Sequence, residues 1–453
     1  PPPMRPARSV PPPGMPERRR PHGGAPVGVA LLGCGVVGSS VLRLFASHAE
    51  DFERRVGVPL EVRKVLVRDR SKPREAAVPG AKLCTDPEEV FGDPEVELVV
   101  ELMGGLDPAG AYVERALDTG RSVVTANKAL LAARGPELFE RAARAKVDLS
   151  FEAAVGGGIP VVRSLRDAFA SDRVTEIVGI LNGTSNYILS RMTDEGASFE
   201  DALGEAQAKG YAEADPTLDV EGHDAAQKLV VLAMLAFGAA PPQPGEMMVE
   251  GIRGLDRADV AQAARFGFVP KHLVIGRDRG EAIELRAHTS LVKKSSVLAN
   301  VSGVLNAVRL EGEAVGPCLL SGRGAGGLPT AVSVVADVLD AARALVAGVP
   351  GLASSKRPLA PRALVPIAEL RSRYYVRLRV DDTPGVLARI ASAMGERGVS
   401  VAELLQTPLE SGRAEIVLLT HEAREGDLRT AFDALAGEAW LATTPVVLRI
   451  EGD

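Results

Sequence analysis

One short stretch limits the folds open to this chain more than any other. Val27–Leu32 is an apolar run, Gly33-Cys34-Gly35-Val36-Val37-Gly38 is a glycine-punctuated turn, and residues 37–49 carry an amphipathic pattern of helical period. An apolar run of that length reads as a strand buried on both faces, so the unit is strand, turn, helix. In that context the three glycines have separable jobs. Gly33 permits the tight turn, Gly35 lets the backbone approach a pyrophosphate, and Gly38 lets helix and strand pack closely. The helix start offers free N–H groups and the positive end of its dipole to the phosphates. The turn is therefore expected to bind a dinucleotide through Gly33, Gly35, Val36, Val37 and Gly38. Cys34, inside the turn, reads as a small space-filling residue rather than a nucleophile.

Further strands are expected at 61–67, 98–102 and Ser122–Thr125, with helices at 108–118 and 129–145. Strands alternating with helices mean a parallel, doubly wound, Rossmann-type α/β sheet. At 453 residues the chain should divide into about three domains. The expected divisions are a Pro/Arg-rich tail over 1–25, a dinucleotide-binding domain over 26–150 and a substrate and dimerisation domain over 151–330. A helix returning to the first domain (331–348), a proline-rich linker (349–370) and a small C-terminal domain (371–453) complete the chain. The middle domain reads as α+β, with strands at 174–181, 273–275 and 283–288 and helices at 199–209 and His223–Phe237. The last domain reads as strands at 374–380, 400–406, 414–420 and 446–450 with helices at 384–397 and 425–435, the βαββαβ order of ferredoxin-like folds.

Composition excludes several classes of function. A net charge of −6 gives no reason to expect nucleic-acid binding, and Arg18, Arg19 and Arg20 read as part of a solvated tail. The three cysteines form no CxxC pair, which fits a reducing cytoplasm. The longest apolar run, 229–238, is too short to span a bilayer, and the first residues show no secretory h-region. A cytoplasmic protein with no membrane partner is expected.

Chemistry concentrates in four places. At the end of the second strand, Arg68-Asp69-Arg70-Ser71-Lys72 surrounds one acid with cations. A lone acid there bonds the ribose 2′-hydroxyl of NAD, whereas Arg accommodates the 2′-phosphate of NADP, so Arg68 favours NADP, with Asp69 the reader if NAD is used. Val123-Val124-Thr125-Ala126-Asn127-Lys128 places Thr125 and Lys128 at the carboxyl end of a strand, where ligands of open α/β sheets gather. Residues 179–187 (Gly-Ile-Leu-Asn-Gly-Thr-Ser-Asn-Tyr) suit close approach to a ligand or a helix cap. Finally, residues 210–228 crowd Glu213, Asp215, Asp219 and Glu221 into one loop before a helix that carries Asp224 and Lys228 one turn apart. Carboxylates so dense repel one another unless a lysine or a substrate ammonium sits among them.

The set GCGVVG, TANKALLA, EAAVGGGIP, GILNGTSNYIL, GYAEADPTLDVEGHDAAQKL and GRGAGGLPTA resembles homoserine dehydrogenase, in that family's order over about residues 27–345. The segment DDTPGVLA at 381–388 resembles an ACT domain. The resemblance implies NAD(P)H-dependent reduction of L-aspartate 4-semialdehyde to L-homoserine, on the route to threonine, methionine and isoleucine. It implies Glu213 and Asp224 at the substrate's amino end, with Lys228 and Lys128 flanking the carbonyl oxygen. Lys228 is assigned as the acid, and Lys128 as an orienting residue and cofactor contact. Gly210 and Gly326 are implied cofactor contacts. Glu152, with the carbonyls of Val155, Gly157 and Ile159, is implied to hold a structural monovalent cation, Na+. Relatives with ACT domains imply threonine as allosteric effector and a homodimer or homotetramer. Two rivals stand against this reading. A thioester-forming aldehyde dehydrogenase needs a nucleophilic cysteine, and the substrate domain offers only Cys318. A non-catalytic amino-acid sensor would not need both lysines and the acidic loop.

Overall fold

The computed structural model describes residues 24–76, 78–351 and 359–452, so the expected N-terminal tail lies almost wholly outside the described residues. β1 (Val27–Leu32) is buried at every position, as an all-apolar strand covered on both faces must be. Around it β2 (Leu60–Leu66), β3 (Leu83–Cys84), β4 (Val96–Glu101), β5 (Ser122–Thr125) and β6 (Leu149–Ser150) form a parallel sheet of order β3-β2-β1-β4-β5-β6. The order reverses between β1 and β4. In doubly wound sheets the ligand crevice opens there, beyond the carboxyl ends of the strands.

The chain forms two compact units, and this sheet belongs to the first, Pro1–Gly158 with Ala325–Arg357. The returning helix, Gly327–Val346, completes its core: Ala331, Val334, Val335, Val338 and Ala341 join Val29, Leu31, Val41 and Val65 in one buried cluster. Gly327 sets the approach. A Cβ there would lie 2.7 Å from Val36 Cγ1 and 2.9 Å from Ser40 Oγ, so only glycine lets this helix lie against Val36–Ser47.

The second unit, Ile159–Gly324 with Pro358–Asp453, is built on one large sheet. Its strands are β7 (Val174–Ile180), β8 (Met248–Val249), β9 (Phe268–Asp278), β10 (Ala282–Lys293), β11 (Leu305–Gly312) and β12 (Gly316–Arg323), continued by β13 (Ala363–Leu364), β14 (Arg371–Asp381), β15 (Val401–Pro408), β16 (Arg413–Thr420), β17 (Ala423–Arg424) and β18 (Val446–Glu451). The main path runs β12-β11-β7-β9-β10-β18-β14-β16-β15.

The C-terminal βαββαβ module is present in the expected order, with helices Val386–Gly395 and Glu425–Asp433, but it is not free-standing. Its last strand pairs in parallel with β10, matching Ser290 to Arg449 and Leu291 to Ile450. One face of the module's sheet (Tyr375, Val417, Leu419, Leu448, Ile450) shares a core with Tyr187, Ile188 and Phe199 of the substrate domain. The other face (Tyr374, Val376, Leu378, Ile416, Leu418) packs on the module's own helices. Polar ties reinforce the seam: Arg377 donates to Asp259 at 2.6 Å, and Arg277 to Glu451 at 2.9 Å. Local pattern reads the module correctly but carries no signal for a partner strand over 150 residues away. About a third of the expected linker, 352–358, lies outside the described residues. The remainder is strapped down, with β13 against β10 and Arg362 donating to Asp278 at 2.9 Å. Among the described residues no helix is long and apolar enough to cross a membrane.

Candidate functional site

The glycine turn after β1 has the geometry its sequence calls for. Gly33 takes φ +100°, and a Cβ there would meet Leu102 O at 2.9 Å, so the β1 turn lies directly on the β4 turn. At Gly38 a Cβ would fall 2.7 Å from Gly33 O, while at Gly35 it would meet nothing within 4 Å. The first and last glycines are thus needed by the protein itself, and the middle one faces open space where phosphates can approach. Gly35 is also the cap position of helix Val36–Ser47 and no side chain caps it, which leaves the first N–H groups to a ligand. Val36 is exposed and Val37 half-buried beside this opening. Gly326, φ +117°, opens the returning helix that packs on Val36.

Beyond β2, the loop at 68–74 resolves which charges are available. Asp69 Oδ1 accepts both the backbone N–H and the hydroxyl of Ser71, each at 2.7 Å. Those two bonds hold its carboxyl below the usual carboxylate range. Arg74 is folded back onto its own loop, donating to Lys72 O at 2.7 Å, Arg70 O at 3.2 Å and Asp69 O. Arg70 reaches Glu89 at 3.5 Å. Arg68 is exposed at the strand's end.

The ends of β4 and β5 are joined by a buried network that the sequence reading did not single out. Glu101, fully buried, accepts Met103 N at 2.7 Å and Gly104 N at 3.0 Å on one oxygen, and Thr125 Oγ1 at 2.6 Å on the other. Thr125 Oγ1 in turn accepts Asn127 N at 3.0 Å. Asn127 caps helix Lys128–Ala145 through Leu130 N at 3.1 Å and donates to Gly105 O at 2.7 Å. Lys128, half-buried, is the first residue of that helix.

In the second unit, Lys228 sits on helix His223–Phe237 with its side chain 12% exposed. Its Nζ donates to Asp224 Oδ2 at 2.7 Å and to Leu181 O, at the end of β7, at 2.6 Å. Asn182 completes the group: its Oδ1 caps helix Gly183–Glu195 through Ser185 N at 2.8 Å, while its Nδ2 bridges Asp219 Oδ1 at 2.7 Å and Asp224 Oδ2 at 2.8 Å. Burial first, and then the neighbouring Asp224 charge, raises the Asp219 carboxyl above its usual range.

The acidic loop is less a single crowd than its sequence suggests. Asp215 is satisfied by Thr217 N at 3.1 Å and Thr217 Oγ1 at 2.6 Å, and Glu221 pairs with Arg253. Glu213 is exposed, and its backbone carbonyl accepts Gln207 Nε2 at 3.1 Å. Of these acids Asp219 is the one that joins Asp224 and Lys228: Asp215 is held by its own turn, Glu221 by Arg253, and Glu213 faces solvent. Gly210, φ +72°, lies in the turn before Glu213 with open space where a Cβ would stand.

Of the residues expected at a cation, Glu152, Val155 and Gly157 lie in the first unit, and Ile159 opens the second. Glu152 is 3% exposed, and its N–H donates to Asp337 Oδ2 at 2.8 Å. Gly156 and Gly157 take φ +75° and +56°, and Gly157 O accepts Ser333 Oγ at 2.6 Å. Ile159 O accepts Val161 N at 2.8 Å. Among the described residues no cluster of three or more His, Cys, Asp or Glu could ligate a metal. Within the first unit, Glu152 and the backbone carbonyls of Val155 and Gly157 offer hard oxygens, the donor type that suits an alkali cation and not a soft metal.

Comparison with known proteins covers most of the chain. Family models described as "Homoserine dehydrogenase, NAD binding domain", "Homoserine dehydrogenase" and "ACT domain" match residues 33–152, 160–339 and 374–438. A homoserine dehydrogenase of Pseudomonas aeruginosa is 43% identical over 437 residues, 94% of this chain and 99% of its own. The crystal structure of a homoserine dehydrogenase from Thiobacillus denitrificans is similar with a TM-score of 0.89 and 43% identity, covering 94% of this chain and 98% of that one. A hyperthermophilic archaeal homoserine dehydrogenase in complex with NADPH has a TM-score of 0.59 and 25% identity, covering 70% of this chain and 98% of its own.

Proposed function

The chain belongs to the homoserine dehydrogenase family, and on that premise we propose that Lys228 is the proton donor to the substrate's carbonyl oxygen in an NADP(H)-dependent enzyme of threonine, methionine and isoleucine synthesis. The protein is an NAD(P)-dependent oxidoreductase that interconverts L-aspartate 4-semialdehyde and L-homoserine. The observation that carries the assignment is the environment of Lys228 Nζ. An ammonium group has three N–H donors; here Asp224 Oδ2 and Leu181 O take two, at 2.7 and 2.6 Å. The third remains for a substrate oxygen, and the ammonium, with Asp224 as its counter-ion, can stabilise the alkoxide and protonate it. Asp224 and Glu213 recognise the substrate's amino end, with Asp219 beside Asp224. Lys128 orients and contacts the cofactor in the first unit, with Gly210 and Gly326 as further contacts.

The nicotinamide supplies the hydride when bound. Gly33, Gly35, Val36, Val37 and Gly38 hold the pyrophosphate at an uncapped helix start. NADP is favoured because Asp69 is committed to Ser71 whereas Arg68 is exposed for a 2′-phosphate. The archaeal relative solved with NADPH points the same way. Glu152 with Val155, Gly157 and Ile159 would hold Na+ as a structural ion with no step of its own.

Threonine is the proposed effector, acting through the ACT domain, whose Thr383-Pro384-Gly385 turn opens helix Val386–Gly395 without a side-chain cap. A physical route supports this. Arg449 of the module is bonded to Glu425 at 2.9 Å and to Glu250 at 2.6 Å. Glu250 O accepts His272 Nε2 at 3.0 Å, and His272 packs so tightly on Gly222 that a Cβ there would lie 2.8 Å from it. Gly222 caps the helix that carries Asp224 and Lys228. Burial pushes His272 down to about 4, so this link is a neutral imidazole at working pH. Assembly as a homodimer or homotetramer is proposed through the module's edge strand β15, where Leu404 is exposed. Homoserine oxidation assayed with each cofactor, with and without threonine, tests cofactor and effector. For Lys228→Ala, kcat is expected to fall about 10²–10⁴-fold with little change in KM, and near-normal turnover would remove Lys228 from the mechanism.

A further inference from the structure

We propose that Glu101 is a positioning residue for the nicotinamide end of the cofactor site, acting through the two turns it holds and touching no reactant itself. The inference rests on the dehydrogenase reading above and extends it to a residue given no role there.

Glu101 is the last residue of β4, beside the point where strand order reverses. A carboxyl side chain fully buried at the end of a strand needs a reason. Both carboxylate oxygens accept, one from Met103 N and Gly104 N and the other from Thr125 Oγ1. The first pair fixes the turn after β4, which continues through Gly104 and Gly105, both at positive φ. The second bond makes the Thr125 hydroxyl a donor, which turns its lone pairs toward Asn127 N. Asn127 then caps the helix that begins at Lys128 and clasps Gly105 O of the β4 turn. The same β4 turn supports the glycine turn after β1, since Leu102 O lies 2.9 Å from where a Gly33 Cβ would be. One carboxylate therefore sets three neighbouring turns, including the one that presents Lys128. The adenosine half of a dinucleotide is read elsewhere, by the loop after β2.

Glu101→Gln keeps the volume and replaces an acceptor with an N–H₂ donor, so either the backbone donors or Thr125 lose their partner. The test is equilibrium binding of NADPH and of 2′,5′-ADP, the adenosine-side fragment, followed by protein fluorescence on the full chain. In Glu101→Gln the NADPH Kd is expected to rise about tenfold or more, the loss of one hydrogen bond to a charged group. The Kd for 2′,5′-ADP should stay within about twofold, the scatter of distant independent sites. Thr125→Val should weaken NADPH binding in the same way, and the double variant should bind no worse than the poorer single one. This second variant also covers a Glu101→Gln chain that fails to fold. Unchanged NADPH binding in both variants overturns the proposal, as does an equal loss for NADPH and 2′,5′-ADP, the signature of general damage. A wild-type chain that binds no NADPH would instead sink the dehydrogenase reading on which the proposal stands.

Discussion

Replacing Asn182 with aspartate separates two jobs that one side chain performs. Asp caps a helix as well as Asn does, so the bond to Ser185 N at 2.8 Å survives in Asn182→Asp. What is lost is the N–H₂ group that donates to Asp219 at 2.7 Å and Asp224 at 2.8 Å. Hydrogen bonds to charged groups are each worth about 1.5–3 kcal/mol. One amide serves both carboxylates, so the two are not additive, and a loss of about 2–4 kcal/mol is expected at pH 8. Asn182 is only 4% exposed, so water cannot replace the amide. The variant also places three carboxyl groups around one lysine. The native Asp219 carboxyl already lies above its usual range through burial, and the Asn182 hydrogen bond is what holds it down. Removing that bond raises the folded pKa further above the unfolded value. A group raised in this way binds protons more tightly in the native state, so the variant gains stability as pH falls and loses it as pH rises through the folded pKa. The assay is thermal unfolding by circular dichroism at pH 8 and pH 5.5, against wild type at each pH. The expected melting deficit is roughly 5–10 °C at pH 8, clearly smaller at pH 5.5. Equal deficits at both values, or none at pH 8, would refute the bridging role assigned to Asn182.

Two further outcomes follow from the same geometry. Arg68→Ala should raise KM for NADPH about tenfold or more and leave NADH kinetics unchanged, because only the 2′-phosphate loses a charge-assisted contact; equal effects on both cofactors would mean that Arg68 does not read it. A chain ending at Ser355 should be poorly soluble and melt well below the full chain, since β10 loses β18 and the buried Arg286 loses Glu451. A soluble truncated enzyme with the full chain's melting temperature would show the module to be dispensable.

Much of the architecture was legible because it is written in local pattern. The all-apolar Val27–Leu32, the glycines at 33, 35 and 38 and the alternating strands and helices have one cheap solution, a parallel sheet with a phosphate turn. The C-terminal βαββαβ order was equally local. Its fusion to β10 was not, because parallel pairing between distant strands leaves no periodic trace in either. The hairpin of β11 and β12 was missed for a different reason: β12 carries glycine at both 316 and 322 and a proline at 317, residues that weaken a strand signal. At the site, Lys228 and Asp224 were readable from their helical spacing. Asn182 was visible only as a possible cap, and its second role depends on Asp219 folding back to meet it. Glu101 carried one clue, an acid closing the strand Val96–Glu101, whose meaning depends on Thr125 of the neighbouring strand. The acidic loop was over-read, since Asp215 is satisfied within its own turn and Glu221 finds a partner, Arg253, that sequence spacing does not reveal.

In the proposed mechanism the Lys228 ammonium gives the proton as the aldehyde is reduced. Chemical rescue probes that step: small primary amines are added to Lys228→Ala and NADPH oxidation with L-aspartate 4-semialdehyde is followed. Turnover restored in proportion to amine concentration, and varying with amine basicity, is the expected result. A variant indifferent to added amines, or one that turns over at the wild-type rate without them, would contradict it.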